Sequence, residues 1–463
     1  MVYFVENTWI LRPLRAAKGK KSLNEIRYTE RRQRAKSEAY CVDLFAGAGG
    51  LAVGFRSAGW GVLAANDIDA DAGSTFRLNF PEASFFEGPV SSLSAGDLMD
   101  DCGLGPGDLD CLVGGPPCQS FSHNNHRRSA VDERARLFEY YLKLVEELNP
   151  KTLVMENVPG ILSIDRGKVV EEILQRLGGL GFDATVVRLS AEEFGTPQLR
   201  RRVFILASCI GPAAELVPSP SHWSPALAQW GGPKERPASA MRRPVTVWQA
   251  IGDLPELENG GGSHVAPWLP GQPSTTYQRE ARRRSPELYN HICHRLTEVN
   301  LGRIIHVPEG GNWRDVPREL LPAGMQRARL QDHTKRYGRL ARDGFASTIL
   351  TKCDPHWGAY VHPTQDRTIS VREASRLQGF PDSFRFAGEH LSKQYTQVGN
   401  AVPVQVAEAI GLAVLAHVGR YGTKVATRQS LKQSGRPVGA TPAIENRNHY
   451  PVRALSILSA RTS

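Results

Sequence analysis

A chain of 463 residues is long enough to bury two cores, and its 41% hydrophobic and 22% charged content fits a folded protein rather than a disordered one. No apolar run approaches the roughly 20 residues of a membrane-spanning helix, and the first residues lack the pattern of a signal peptide, so a cytoplasmic protein is expected. The formal net charge of +10 suits a polyanionic partner as well as a merely basic surface, and seven cysteines without a Cys-x-x-Cys pair argue against a disulfide framework.

Residues 1–38 are rich in Lys and Arg and read as a solvated basic arm. From residue 39 onward short apolar runs alternate with amphipathic stretches. Strands are predicted at residues 40–44, 61–65, 109–113, 152–155, 184–188 and 203–207. Helices are predicted at 51–57, in the stretch ending at Phe80, and at 132–148. Strand–helix–strand repetition predicts a mostly parallel sheet covered on both faces, over residues 39–208. Past residue 209, Pro, Gly, Trp, His and Arg dominate, and Pro218-Ser-Pro220, Gly260-Gly-Gly262 and Gly310-Gly311 signal loops. A second, smaller, irregular domain is expected over residues 209–345. Helices resume at 371–378 and 403–417, the latter with Pro403 at its first turn, so the chain returns to the first domain over residues 346–420. Residues 421–463 read as a basic tail. The run His291-Ile-Cys-His294 lacks a second pair at ligand spacing and is expected in a loop or core rather than on a metal.

Four motifs carry chemistry. Asp43-Leu-Phe-Ala-Gly-Ala-Gly-Gly50 joins a strand to a helix; Gly47 and Gly49, with Ala52 in the third place, fit the Gly-x-Gly-x-x-(Gly/Ala) turn of dinucleotide folds. Asp67, at the end of the second strand, stands where a carboxylate grips ribose hydroxyls. NAD, FAD and S-adenosylmethionine are all compatible with this turn. Gly114-Gly-Pro-Pro-Cys-Gln-Ser-Phe-Ser122 follows an apolar strand, which places Cys118 at the carboxyl edge of the sheet. Pro116 and Pro117 stiffen the backbone before that thiol, as nucleophilic catalysis requires. Glu156, also at a strand end, can donate a proton to a ring nitrogen if its pKa is raised. Gln198-Leu-Arg-Arg-Arg202 supplies guanidinium groups for a base carbonyl or phosphates.

Taken with Arg372-Glu-Ala-Ser-Arg-Leu-Gln-Gly-Phe-Pro-Asp382 and Gln397-Val-Gly-Asn-Ala-Val-Pro403, these motifs resemble, in order, the motif set of the cytosine-5 DNA methyltransferases of bacterial restriction-modification type. The resemblance covers about residues 40–208 and 345–417. It implies an α/β fold: a Rossmann-like S-adenosylmethionine-dependent methyltransferase domain with a smaller, irregular target-recognition domain. It also implies methyl transfer to C5 of cytosine in double-stranded DNA. By position, Cys118 resembles the nucleophile that adds to C6, Glu156 the residue that bonds N3, and Arg202, with Arg200 nearby, the guanidinium that steadies the base. Phe45, Ala46, Gly47, Gly49, Asp67, Ile68, Pro117 and Asn400 correspond to the cofactor side of the site. No metal is implied. A monomer is expected, and a companion restriction endonuclease is the natural setting.

One departure concerns Glu87-Gly-Pro-Val90, where many relatives carry an acidic residue that bonds adenine; Pro89 cannot make that bond. The region 209–345 corresponds by place to target recognition. It contains Arg279, Arg282, Arg283 and Arg284, then Trp313-Arg314 and Lys335-Arg336-Tyr337, residue types suited to base edges and phosphates. Thr348 and Thr351 are expected at the DNA face. A nicotinamide oxidoreductase would account for the glycine turn but not for Pro116-Pro-Cys118. The tRNA-acting branch of the family has a reduced recognition region, unlike this chain.

Overall fold

The computed structural model describes residues 39–117, 137–224, 241–269, 271 and 273–422, together with a backbone hairpin of β1 (Val2–Val5) and β2 (Thr8–Leu11). The rest of the basic arm, the tail beyond residue 422, the start of the helix expected at 132–148, and Cys118 itself lie outside the described residues.

A seven-stranded sheet forms the centre. Its strands are β3 (Tyr40–Leu44), β4 (Gly61–Asp67), β5 (Ser84–Glu87), β6 (Cys111–Gly114), β7 (Thr152–Asn157), β8 (Asp183–Ser190) and β10 (Arg201–Ser208). The spatial order is β5-β4-β3-β6-β7-β10-β8. β10 runs antiparallel to both β7 and β8, and the remaining pairs are parallel. The reason is local: only residues 191–200 separate β8 from β10, too few for the crossover that a parallel return needs. That stretch includes the short β9 (Gln198–Leu199).

Side chains alternate across the sheet with period two. Tyr40, Val42, Leu44, Val203 and Ile205 enter one core layer, while Cys41, Phe204 and Leu206 enter the other. Helices α1 (Gly50–Ser57), α2 (Ala70–Asn79), α3 (Ala95–Cys102), α4 (Leu137–Leu148) and α5 (Lys168–Gly179) connect the strands. Asp69 caps α2 by accepting from the backbone N–H groups of Asp71 and Ala72, and Ser94 caps α3 from Asp97. The strand β5 and the helices α3 and α5 were not singled out by sequence pattern.

The segment after β10 contains short elements: α6 (Val247–Ile251), the hairpin β11 (Gly262–Ala266) with β12 (Leu288–Ile292), α7 (Thr276–Arg282) and α8 (Glu298–Ile304). Ile304, Trp313, Met325, Tyr337 and Val361 make a separate small apolar cluster. Val247, Ala250, Ile251 and Leu288 instead join the layer beside the central sheet. The chain then pairs β13 (Ala346–Ser347) with β9 and returns through α9 (Val371–Leu377), α10 (Leu391–Asn400) and α11 (Val404–Tyr421). α11 packs on α1 so closely that a Cβ added at Gly54 would stand 2.3 Å from the Ala407 Cβ. Trp60 Nε1 donates to the Gly411 carbonyl at 2.9 Å across the same contact. Among the described residues no single helix is long and apolar enough to cross a membrane.

Candidate active site

The sheet order changes direction at β3: the chain steps from β3 to β4 on one side and later to β6 on the other. A crevice outside the carboxyl ends of strands at such a point is where open α/β sheets bind ligands. The glycine turn lies there. Gly47 and Gly49 adopt φ values of 54° and 99°, which the absence of a side chain permits, and Phe45 adopts 56°, which a phenylalanine rarely does. A Cβ on Gly49 would press the rings of Phe76 and Phe80 at 3.0 Å, whereas one on Gly47 would meet nothing within 4 Å. Gly49 therefore serves packing, and Gly47 borders open space.

Asp67 holds this turn in shape. Its carboxylate accepts from the Gly47 N–H at 2.7 Å and from the Asp69 N–H at 2.9 Å. A carboxylate has about four acceptor positions, so capacity remains for a hydroxyl. Burial pushes the Asp67 carboxyl up, while the N–H groups of Asp69, Gly47 and Ile68 pull it down. Ile68, next in the chain, leaves 71% of its surface exposed, an apolar side chain without a cover at the mouth of the crevice. Behind it, Asn66 donates to the carbonyls of Phe86 at 2.8 Å and Gly88 at 3.0 Å, fixing the segment that carries Pro89.

At the end of β6, Gly115 and Pro117 are half-buried and Pro116 is buried. Asn157 donates to the Pro116 carbonyl at 2.9 Å, so the residue after Glu156 anchors the stiff stretch that leads into Cys118. Gly115 has its own reason. A Cβ there would lie 3.0 Å from Glu156 Oε2. The glycine leaves that oxygen room.

The other Glu156 oxygen, Oε1, meets Arg202 Nε at 2.7 Å, with both side chains 14% exposed. Burial raises the Glu156 carboxyl above its ordinary range, and the charges of Arg202 and Arg200 oppose that rise. Arg200 and Arg202 thus do different things. Arg202 points at Glu156. Arg200 is buried, and its two terminal nitrogens donate to the carbonyls of Ile349 at 2.9 Å and Gly399 at 2.7 Å. The Arg200 guanidinium thereby ties the sheet edge to the segments that carry Ile349 and Gly399. Burial and the charge of Arg202 push its pKa down to about 9.

Several positioning groups were missed as such in the sequence. Gln198 accepts from the Ile349 N–H at 3.0 Å and donates to the Leu377 carbonyl at 3.0 Å and to Gln378 Oε1. Gln378 in turn donates to the carbonyls of Val398 at 3.1 Å and Ala401 at 2.6 Å. Gly399 approaches Leu350 so closely that a Cβ would stand 2.4 Å from its carbonyl. Exposed Asn400 ends α10 directly after Gly399, which packs against Leu350 and Thr351. The signal was present only as Gln and Gly within quoted motifs. Thr348, expected at a DNA face, donates to the Leu199 carbonyl at 2.8 Å.

Within residues 209–345, Arg279, Arg283, Arg284, Arg314 and Lys335 are exposed, and Arg282 stacks on Trp268 with its guanidinium carbon 3.9 Å from the ring centroid. Trp313 and Tyr337, expected to face DNA, are only 4% and 1% exposed and form core there instead. His291, Cys293 and His294 diverge. His291 bonds Ser370 and the Pro255 carbonyl, Cys293 faces the Glu258 and Gly261 carbonyls, and His294 stacks on Tyr395.

A family model described as C-5 cytosine-specific DNA methylase matches residues 39–416. The chain is 33% identical to the Type II methyltransferase M.AgeI of Thalassovita gelatinovora, over 80% of this chain and 97% of that protein. It is 32% identical to DNA (cytosine-5)-methyltransferase 1 of Mus musculus, over 81% of this chain but only 28% of the longer mouse protein. Among solved structures, a DNA modification methyltransferase encoded within an E. coli prophage superposes with a TM-score of 0.61 at 26% identity, over 83% of this chain and all of that one.

Proposed function

The chain belongs to the C-5 cytosine-specific DNA methylase family, and from that premise we propose that it methylates C5 of cytosine within a specific double-stranded DNA sequence, using S-adenosylmethionine, through a covalent Cys118–C6 adduct on a base turned out of the duplex. The observation that carries the reading is the Glu156–Arg202 pair at 2.7 Å, set against the Gly115-Pro116-Pro117 stretch that delivers Cys118.

The crevice fits the cofactor. Gly47 leaves room for a ligand, Phe45 and Ala46 shape the turn, and Asp67 keeps acceptor capacity for ribose hydroxyls. Exposed Ile68 offers apolar cover for an adenine, while Pro117 and Asn400 bound the site from the catalytic loop and from α10. When bound, S-adenosylmethionine supplies a sulfonium methyl, the electrophile that C5 attacks.

The protein's part is to make C5 nucleophilic. The Cys118 thiolate adds to C6, and the electrons of the C5–C6 double bond move to C5 as N3 gains a proton or hydrogen bond. Glu156 is suited to that task because burial raises its carboxyl, and because Arg202 holds Oε1 while Oε2 faces the space beside Gly115. After transfer, loss of the C5 proton drives out the sulfur and restores the double bond. The target carbon is inaccessible inside a duplex, so the nucleotide has to leave the stack.

Residues 209–345 are the proposed target-recognition domain, residues 39–208 and 346–420 the catalytic domain, and residues 1–38 and 421–463 basic extensions. A companion restriction endonuclease and action as a monomer belong to the same proposal. The test uses a duplex with 5-fluorocytosine at the methylated position, first located by bisulfite sequencing. The fluorinated base has no C5 proton to lose, so the native protein should run as a shifted covalent band on denaturing gels, and Cys118→Ser should not. An adduct formed by Cys118→Ser at the native rate removes Cys118 from the mechanism.

A further inference from the structure

One aromatic side chain stands out on the surface. Trp357 is 49% exposed. Lys352 Nζ lies 5.7 Å from its ring centroid and the Arg336 guanidinium carbon 5.6 Å, so two cations share one indole. A half-exposed tryptophan is unremarkable on a loop that can move. This loop is built to hold still. His356 donates its N–H to Asp354 Oδ1 at 2.8 Å and Trp357 to the Asp354 carbonyl at 2.9 Å, which closes a tight turn. Tyr337, itself buried, donates its N–H to the Pro355 carbonyl at 2.6 Å, and Cys353 is buried beneath.

The base of the excursion is part of the site described above. Tyr360, fully buried, accepts from the Leu350 N–H at 3.0 Å and donates to the Thr348 carbonyl at 3.2 Å. Between those residues lies Ile349, whose carbonyl takes Arg200. Thr396 of α10 donates to the Thr351 carbonyl at 3.2 Å, one turn before Asn400. A hydrogen-bonded finger therefore rises from the active-site edge and ends in an indole with two cations close to its ring. Leu350, at its foot, is also 44% exposed.

We propose that Trp357 is a direct contact to duplex DNA beside the target cytosine, with Lys352 and Arg336 on flanking phosphates and the indole against the sugar and base edge between them. The contact deepens the function proposed above and rests on it. Duplex DNA is favoured over a protein partner because two cations close to a half-exposed ring combine charge that phosphates would pair with a flat apolar surface that a sugar or base edge would cover. The backbone that carries the ring is the one that Arg200 clamps.

The test compares the native protein, Trp357→Phe, Trp357→Ala, Lys352→Ala and Arg336→Ala on a duplex fragment of a plasmid that the native protein methylates. Trp357→Ala should raise the Kd for the fragment and the KM for DNA at least tenfold. Its kcat should change far less, and S-adenosylmethionine affinity by calorimetry should stay native. Trp357→Phe should recover part of the loss. Each cation removed should lower the slope of log K against log salt by about one. If Trp357→Ala binds and methylates like the native protein, or if the salt slopes of the cation variants stay native, the contact is wrong while the proposed function stands. If the native protein methylates no duplex at all, the proposed function falls and takes this contact with it.

Discussion

Glu156 concentrates the residue-scale argument, because its two oxygens have different tasks. Oε1 is fixed by Arg202 and Oε2 has the space that Gly115 leaves. Glu156→Gln keeps the shape and removes the proton source, so methyl transfer should fall by roughly 10²–10⁴ while S-adenosylmethionine affinity by calorimetry stays native. A second residue-scale prediction concerns stability. Glu192 is 1% exposed, and burial pushes its carboxyl up to about 7. Between the ordinary carboxylate range and that value, the folded chain keeps a proton that the unfolded chain has released. The contribution of this group to stability therefore falls as pH rises through that window. His362, pushed down to about 4 by burial, acts in the opposite sense; Glu193, raised to about 7 by burial and by the Glu192 charge, acts in the same sense and loses part of that push in Glu192→Gln. Glu192→Gln should gain little over the native protein in urea unfolding at pH 5 and about 1–3 kcal/mol at pH 8. An equal gain at both values would contradict this.

Among the elements, α11 packs closely on α1, the helix that opens directly after the glycine turn. Alanine is preferred to glycine inside a helix by about 1 kcal/mol. At Gly54 that preference meets the Ala407 Cβ at 2.3 Å and the Glu408 backbone nitrogen at 2.6 Å. Helix backbone cannot yield as a side-chain end can, so overpacking, about 1–3 kcal/mol, outweighs propensity. Gly54→Ala should lower the melting temperature by several degrees and weaken S-adenosylmethionine binding, measured by calorimetry. A melting temperature at or above the native value would show that the two helices can separate freely.

For the whole molecule, the joint between the recognition region and α9 is a buried ionic knot. Arg367, fully buried, meets both Glu373 oxygens at 2.8 Å. His291 reaches from β12 to Ser370, which caps the same helix. Burial alone would raise the Glu373 carboxyl; Arg367 overrides it and holds the group far below the usual range. That stabilisation is present above the ordinary carboxylate pKa and is lost as pH falls below it. Glu373→Gln would strand Arg367 in the interior at a cost of about 3–5 kcal/mol, seen in urea unfolding at neutral pH, and the deficit should shrink toward pH 3. The recognition region is tested by exchange: replacing residues 209–345 with those of a relative of different specificity should move the methylated site in bisulfite sequencing. An active chimera that keeps the original site would refute the boundary.

Six of the seven strands of the central sheet, all but β5, were legible in the sequence, as were the glycine turn, the strand-end placement of Glu156 and Asp67, and the family. Those features depend on residues close together in the chain: period-two apolar runs, glycines at left-handed φ, prolines before a cysteine. Tertiary structure alone decided which of the two arginines faces Glu156. Arg202 lies on β10 and Arg200 in the one-residue break between β9 and β10, two positions apart, and no local pattern tells them apart. The partners that claim Arg200, Ile349 and Gly399, lie 149 and 199 residues further on. Distance in sequence also hid the fates of the aromatic residues. Trp313 and Tyr337 looked like surface readers beside Arg and Lys, yet they fill a core with Ile304 and Val361, and Trp357 is the one left uncovered among these three. Whether an aromatic ring packs or faces outward is set by what the rest of the chain brings against it, and a basic neighbour does not encode that.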